Sequence, residues 1–284
     1  MAVPAGPRKI ITITPVSSES VATVTIFCLR MAQVRDELRS AARIELVPCL
    51  LSDGSTIDFD SDVAVRSDLI RVIVRHQYSL GLATTLVEGY EAALRESMEQ
   101  TDLIVRLDPN DDPRKILEVV EHLQCCVADA VFLPVAYSSE EQFRRRQLEV
   151  MADVSALFNA LTPVDPEVMI RLYNQAFAVN YQAYRAYALA KIVPELRVGL
   201  KVFQRQNGEP ARWGFDALAL MLASMGNSLD VCFGGWALPW EQSRTPQQSN
   251  EQAMRVAAML AVFAELGGAI KPSSSSPRRG FVGP

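Results

Sequence analysis

No stretch of the 284 residues is apolar for long enough to cross a membrane, because Arg30, Asp230 and Glu265 cut the most apolar ones short. The opening MAVPAGPRKI has no apolar core of the kind a secretory signal carries, so a cytoplasmic location is expected. Histidine is scarce. The two present, His76 and His122, fall at an expected strand end and within an expected helix, and both are read as structural. Cysteine is sparse and odd in number: Cys28, Cys49, Cys125, Cys126 and Cys232 sit in apolar contexts with no CxxC spacing. That pattern suits buried thiols in a reducing compartment and leaves no disulfide framework. A net charge of −5 gives polyanions no broad attraction, so nucleic acid is not an expected partner. The chain has no Walker loop, no GxGxxG and no GxSxG elbow, which removes the usual support for a P-loop ATPase, a standard dinucleotide enzyme or a serine hydrolase.

What is present is a composition that is 49% hydrophobic, 21% charged and 7% aromatic, that of a globular chain with a sizeable core. Lys9-Ile10-Ile11-Thr12-Ile13-Thr14-Pro15 is a β-branched run stopped by proline, and Ser17-Ser18-Glu19 then opens a helical pattern. Further strands are expected over 44–51, 69–74, 102–107 and 128–135, with helices over 79–98 and 112–123 between them. Strands alternating with helices predict parallel βαβ units in a doubly wound α/β sheet over 8–136. Beyond this, helical patterns dominate, at 138–161, 166–192, 214–225 and 252–266. A helix-rich second half of the same domain is expected over 137–270. The tail 271–284, KPSSSSPRRGFVGP, is low in complexity and expected to be disordered.

Parallel strands place three features on one edge of such a sheet: 15–19 after the first strand, Ser52-Asp53-Gly54-Ser55 after the second, and LDPNDDP, 107–113, after the fourth. Asp-Gly-Ser is an ordinary turn sequence as well as a strand-end ligand loop. Asp108, Asn110, Asp111 and Asp112 offer oxygen ligands suited to a hard divalent cation, and equally offer helix caps ahead of Pro113.

The order of Pro15-Val16-Ser17-Ser18-Glu19, Ser52-Asp53-Gly54-Ser55, Gly81-Leu82-Ala83 with Gly89 and Ala92-Ala93, and Asp108-Pro109-Asn110-Asp111 resembles the ordered motifs of family-2 glycosyltransferases of the GT-A fold, in the style of dolichyl- and polyprenyl-phosphate sugar synthases. The resemblance covers roughly residues 10 to 160. It implies a GT-A fold and an inverting, metal-dependent transfer from a nucleotide-diphosphate sugar. Pro15, Glu19, Ser52 and Asp53 would hold the nucleoside. Asp108 and Asp111, with Asn110, would hold Mg²⁺ or Mn²⁺ as the catalytic pair of carboxylates. Arg144, Arg145 and Arg146 lie where the family carries basic residues near an acceptor phosphate, so a polyprenyl-phosphate or other glycan acceptor and peripheral membrane contact are implied. Their alternative is a solvated basic helix face. Arg212-Trp213 matches weakly an acceptor motif of processive synthases, and Asp165, Glu195 and Asp216 are candidate general bases. Ser52 stands where the family has the first aspartate of Asp-Asp-Gly-Ser, Ser17-Ser18 replace Tyr-Asn, and Asn110 replaces the second aspartate of Asp-x-Asp. The alternatives are therefore a catalytically degenerate nucleotide-sugar-binding protein and an unrelated α/β small-molecule binder.

Overall fold

The computed structural model describes residues 6–61, 70–125, 128–133, 135–136, 181–207, 231–233 and 238–239. In chain order the elements are β1 (Lys9–Val16), α1 (Val21–Ala41), β2 (Glu45–Asp53), β3 (Arg71–His76), α2 (Leu82–Glu96), β4 (Leu103–Arg106), α3 (Lys115–Cys125), β5 (Ala130–Leu133), β6 (Val135–Ala136), β7 (Tyr181–Arg185), α4 (Ala186–Asn207), β8 (Val231–Phe233) and β9 (Leu238–Pro239). Seven strands form one sheet in the order β3-β2-β1-β4-β7-β5-β8. All run parallel except β7, which pairs antiparallel with β4 and with β5. Val135 and Ala136 of β6 pair with Leu238 and Pro239 of β9 in a small second sheet.

Central parallel strands are covered on both faces, so they read as apolar runs rather than as alternating ones. β1 shows this, with every residue from Ile10 to Val16 buried. On one face Ile10, Leu50, Leu103, Val105 and Val131 pack against Phe27, Met31 and Val34 of α1 and Ile116, Val119 and Leu123 of α3. On the other, α2 and α4 cover the sheet around Tyr184, whose ring meets Tyr90 and Phe132 edge-on at 6.0 and 5.5 Å. Gln182 resolves the polarity of this layer by accepting hydrogen bonds from the Tyr184 and Tyr90 hydroxyls at 2.6 and 3.4 Å. Each fully buried aliphatic or aromatic side chain here stabilises the fold by about 1.5–3 kcal/mol. Helix α2 lies close to the sheet because Gly89 has no side chain: a Cβ there would stand 2.4 Å from Leu51 Cδ1.

The βαβ reading of the first half is observed, with shifted ends. Ser20, not Ser17 or Ser18, caps α1, accepting from the Thr23 amide at 3.1 Å. The helix expected over 166–192 is corrected: Tyr181–Arg185 is a strand, and the helix begins at Ala186. The segment YQAYR adjoins an alanine-rich helix and shares its apolar pattern, but β4 and β5 both offer it backbone partners, and that pairing overrides helical propensity. The second half is thus not purely helical, since β7 and β8 complete the sheet begun by the first. The helices expected over 138–161, 214–225 and 252–266, and the tail, lie outside the described residues.

Candidate functional site at the carboxyl edge of the sheet

Because β1, β2, β3 and β4 run parallel, their carboxyl ends share one edge, and antiparallel β7 starts there with Tyr181. Pairing of Pro15 with Leu51 and of Val16 with Ser52 brings the first two expected ligand loops side by side. Pro15 and Ser52 are buried within their strands. Beyond them Glu19 is half-buried, and its carboxylate accepts the Ser17 amide at 2.6 Å, closing the loop ahead of α1.

Asp53 ends β2 and is 4% exposed. Its Oδ1 accepts from the Leu80 amide at 2.7 Å and lies 3.0 Å from His76 Nδ1, while Oδ2 accepts from the Ser79 hydroxyl at 2.9 Å and the Gly81 amide at 3.0 Å. Burial alone would raise the carboxyl pKa. The hydrogen bonds from Leu80, His76, Ser79 and Thr85 outweigh it and hold Asp53 below the ordinary carboxylate value. The next residue makes this approach possible. Gly54 has φ +68°, and a Cβ on it would lie 2.3 Å from the Ser79 amide nitrogen. His76 in turn places Nε2 at 2.9 Å from Glu88 Oε2 on α2. Burial disfavours the charged ring, but the hydrogen bonds to Glu88 and Asp53 and their charges prevail, and the His76 pKa is raised above its ordinary value.

The third loop is of a different kind. Asp108 Oδ1 pairs with Nη2 of buried Arg106 at 3.1 Å, and the Asp108 side chain is 31% exposed. Asp111 folds back, its Oδ2 accepting the Asp108 amide at 2.6 Å while its own amide donates to the Asp108 carbonyl at 3.0 Å. Asp112 Oδ1 accepts the Arg114 amide at 3.1 Å, a capping contact ahead of α3. Asn110 is exposed. Beneath the loop Tyr181 is fully buried, and burial, followed by the charges of Asp111, Asp112 and Glu118, pushes its phenol well above the ordinary value.

Among the described residues no three His, Cys, Asp or Glu side chains converge to hold a metal ion by themselves. The donor set still has the right chemistry in a limited form, with two carboxylates and an amide on one turn, all hard oxygen ligands. A Mg²⁺- or Mn²⁺-type ion held by one or two carboxylates completes its shell with water and substrate phosphate. Pro15, Glu19, Ser52, Asp53, Asp108, Asn110 and Asp111 therefore share an edge. Arg144, Arg145 and Arg146, like Asp165, Arg212, Trp213 and Asp216, lie outside the described residues. Glu195 sits within α4, which starts at the opposite edge, where the Ala186 amide donates to the Asp102 carbonyl.

Sequence reasoning assigned no site role to His76, Glu88, Ser79 or Arg106. Two signals were there: His76 closes a strand parallel to the one Asp53 closes, and Arg106 is a charge inside the otherwise apolar LIVR. Glu88 and Ser79 had none, since neither position is distinctive until α2 is docked.

No protein-family model matches the chain, and no curated protein matches it in sequence. Solved structures are similar to it. Glucosyl-3-phosphoglycerate synthase from Mycobacterium tuberculosis, in complex with Mn²⁺, UDP and glucosyl-3-phosphoglycerate, superposes with a TM-score of 0.52 at 16% identity, over 90% of this chain and 80% of that one. The same synthase with Mn²⁺, UDP and phosphoglyceric acid gives 0.54 at 15% identity, over 90% and 78%. Mannosyl-3-phosphoglycerate synthase from Rubrobacter xylanophilus gives 0.54 at 14% identity, over 93% and 76%. The fold is the GT-A fold of these glycosyltransferases.

Proposed function

We propose that the chain is a glycosyltransferase that moves a sugar from a nucleotide-diphosphate sugar to an acceptor hydroxyl or phosphate. The carrying observation is the meeting, on one sheet edge of a GT-A fold, of the 15–19 loop, the Ser52–Gly54 loop and the Asp108–Asp111 turn. The first two loops receive the nucleoside, and the half-exposed Asp108 and Asp111 face the diphosphate. A divalent cation held by Asp108 and Asp111, with Asn110, would supply charge neutralisation of the leaving diphosphate. Mn²⁺ accompanying UDP in a structure of this fold supports that reading. Arg106 buttresses Asp108 from below, fixing the carboxylate that would meet the ion.

The reaction proposed is a single inverting displacement: the acceptor oxygen attacks the anomeric carbon from the face opposite the diphosphate while a carboxylate base takes its proton. The acceptor proposed is phosphorylated, and phosphoglyceric acid bound by a similar structure supports a small one. A polyprenyl phosphate is the membrane-bound form of the same chemistry. No helix among the described residues is long and apolar enough to cross a membrane, so such an acceptor would be met at the bilayer surface. Incubation with a panel of nucleotide sugars and Mn²⁺, with 3-phosphoglycerate in one arm and polyprenyl phosphate in vesicles in the other, tests the reading. Transfer in either arm is the expected result. Binding without transfer or donor hydrolysis in both would instead establish a nucleotide-sugar-binding protein.

A further inference from the structure

The His76 ring lies between two carboxylates on different elements, Asp53 of β2 at 3.0 Å and Glu88 of α2 at 2.9 Å, with its side chain 10% exposed. Between two ionised carboxylates both contacts are hydrogen bonds only when both ring nitrogens carry protons, so the geometry suits the imidazolium. Asp53 also binds three consecutive residues, Ser79, Leu80 and Gly81, which open α2. Resting on the donor-site reading above, we propose that protonated His76 is a positioning residue for donor binding: it ties Asp53 to α2 and holds the 79–81 segment beside the nucleoside loops, so that nucleoside diphosphate binds more tightly to the protonated protein.

The groups facing the ring define what its proton controls. Asp53 and Glu88 face it directly, and the neutral Thr85 hydroxyl lies 3.4 Å from Nδ1. Arg75, the preceding residue, is held away by a two-point pair with Asp60 at 3.0 and 3.2 Å. His76 is thus the cation that compensates Asp53 and Glu88. When it deprotonates, Nε2 loses the proton, because Glu88 is 46% exposed and can turn to water whereas Asp53 is 5% exposed and cannot. The β2–α2 tie opens on the Glu88 side, and an incoming diphosphate meets one more uncompensated negative charge. The raised pKa of His76 sets the window: the clamp is complete below its ordinary value of 6.5 and is lost as pH rises through the higher folded value. Cys28 and Cys49 stay silent across this range, since burial pushes both thiols up to about 12.

The test is calorimetric titration of UDP with Mn²⁺ into the full chain at about pH 6 and about pH 8.5, beside His76→Gln, with NMR titration of the His76 ring in the free protein. The wild type should lose about tenfold in affinity over that interval, corresponding to a shift of about one unit in the His76 pKa on binding. His76→Gln should show only the change that comes from the UDP phosphate itself, which is common to both proteins. If His76→Gln does not fold, Glu88→Gln carries the test: it alters a half-exposed side chain and should move the wild-type pH dependence to lower pH. Equal pH dependence in wild type and variant, or a neutral His76 at about pH 6 by NMR, overturns the proposal. Absence of UDP binding at every pH overturns the donor-site reading and the link to His76 together, whereas binding without a difference between the proteins overturns the link alone.

Discussion

Asp53 and Asp108 stand at the carboxyl edge of one sheet with β1 between them, yet the fold uses them in opposite ways. Asp53 is buried, and its two oxygens take two backbone amides, a hydroxyl and an imidazole. Asp108 is about a third exposed, with one guanidinium beneath it and its amide tied into a turn. A carboxylate with four protein donors has little left for a ligand, so on the proposed function Asp53 would act by shaping the loops that receive the nucleoside. Asp108 keeps access to solvent and is the oxygen donor available to an ion or a phosphate-bound cation. On the proposed function, then, the nucleoside side would be a buried floor around Asp53 and the diphosphate side an open rim at Asp108.

The strongest way to break this contrast is Asp53→Ala. Four donors would lose their acceptor in a buried setting, and stability measured by urea denaturation should fall by about 4 kcal/mol, a structural loss ahead of any loss of nucleotide affinity. A variant that stayed folded and merely bound nucleotide less well would make Asp53 a direct ligand instead. Gly54→Ala attacks the same floor from the backbone. It combines the left-handed strain of a non-glycine residue with a collision against the Ser79 backbone, and a loss of about 3 kcal/mol is expected in the same assay.

A pH series sharpens the comparison. The Asp53 pKa is depressed, so its contribution is present above its ordinary value of 3.8 and disappears as pH falls through the lower folded value. The His76 pKa is raised, so its contribution is present below 6.5 and disappears as pH rises through the higher one. Tm should therefore be highest between those limits, and His76→Gln should remove the alkaline fall while leaving the acid one, a difference of roughly 2–4 °C per kcal/mol at this chain length. The smallest structural effect belongs to the rim. Asp108→Asn keeps an oxygen for buried Arg106 but removes the charge facing it, and should cost about 1–2 kcal/mol. It should nevertheless abolish the tightening of UDP binding by Mn²⁺, read by calorimetry with metal and with chelator. Retained coupling in this variant would move the ion away from the turn.

Several of these features are legible in the sequence alone. The β-branched run from Lys9, the apolar run ending in Ser52-Asp53-Gly54 and the charged close of LIVR each mark locally where a strand ends and a loop begins. Alternation with helical periodicity then places the three loops on one edge, because right-handed parallel crossovers leave little choice. The Asp-rich segment is legible as a turn that could cap, bind or do both, and its geometry keeps both uses: Asp111 and Asp112 accept backbone amides while Asp108 remains half-exposed.

What the sequence by itself determined is the type of each group and the edge it stands on, since side-chain chemistry and strand ends are local properties. The tertiary structure alone decided which of the two edge carboxylates is consumed. The partners of Asp53 come from 23 to 28 residues further along the chain, and they reach it only because Gly54 lets the two backbones touch. The same holds for β7, where five residues with a helical neighbour become a strand because β4 and β5 leave a row of backbone donors and acceptors between them. Hydrogen-bond satisfaction in a buried layer is a property of the assembled sheet, and no local pattern encodes it.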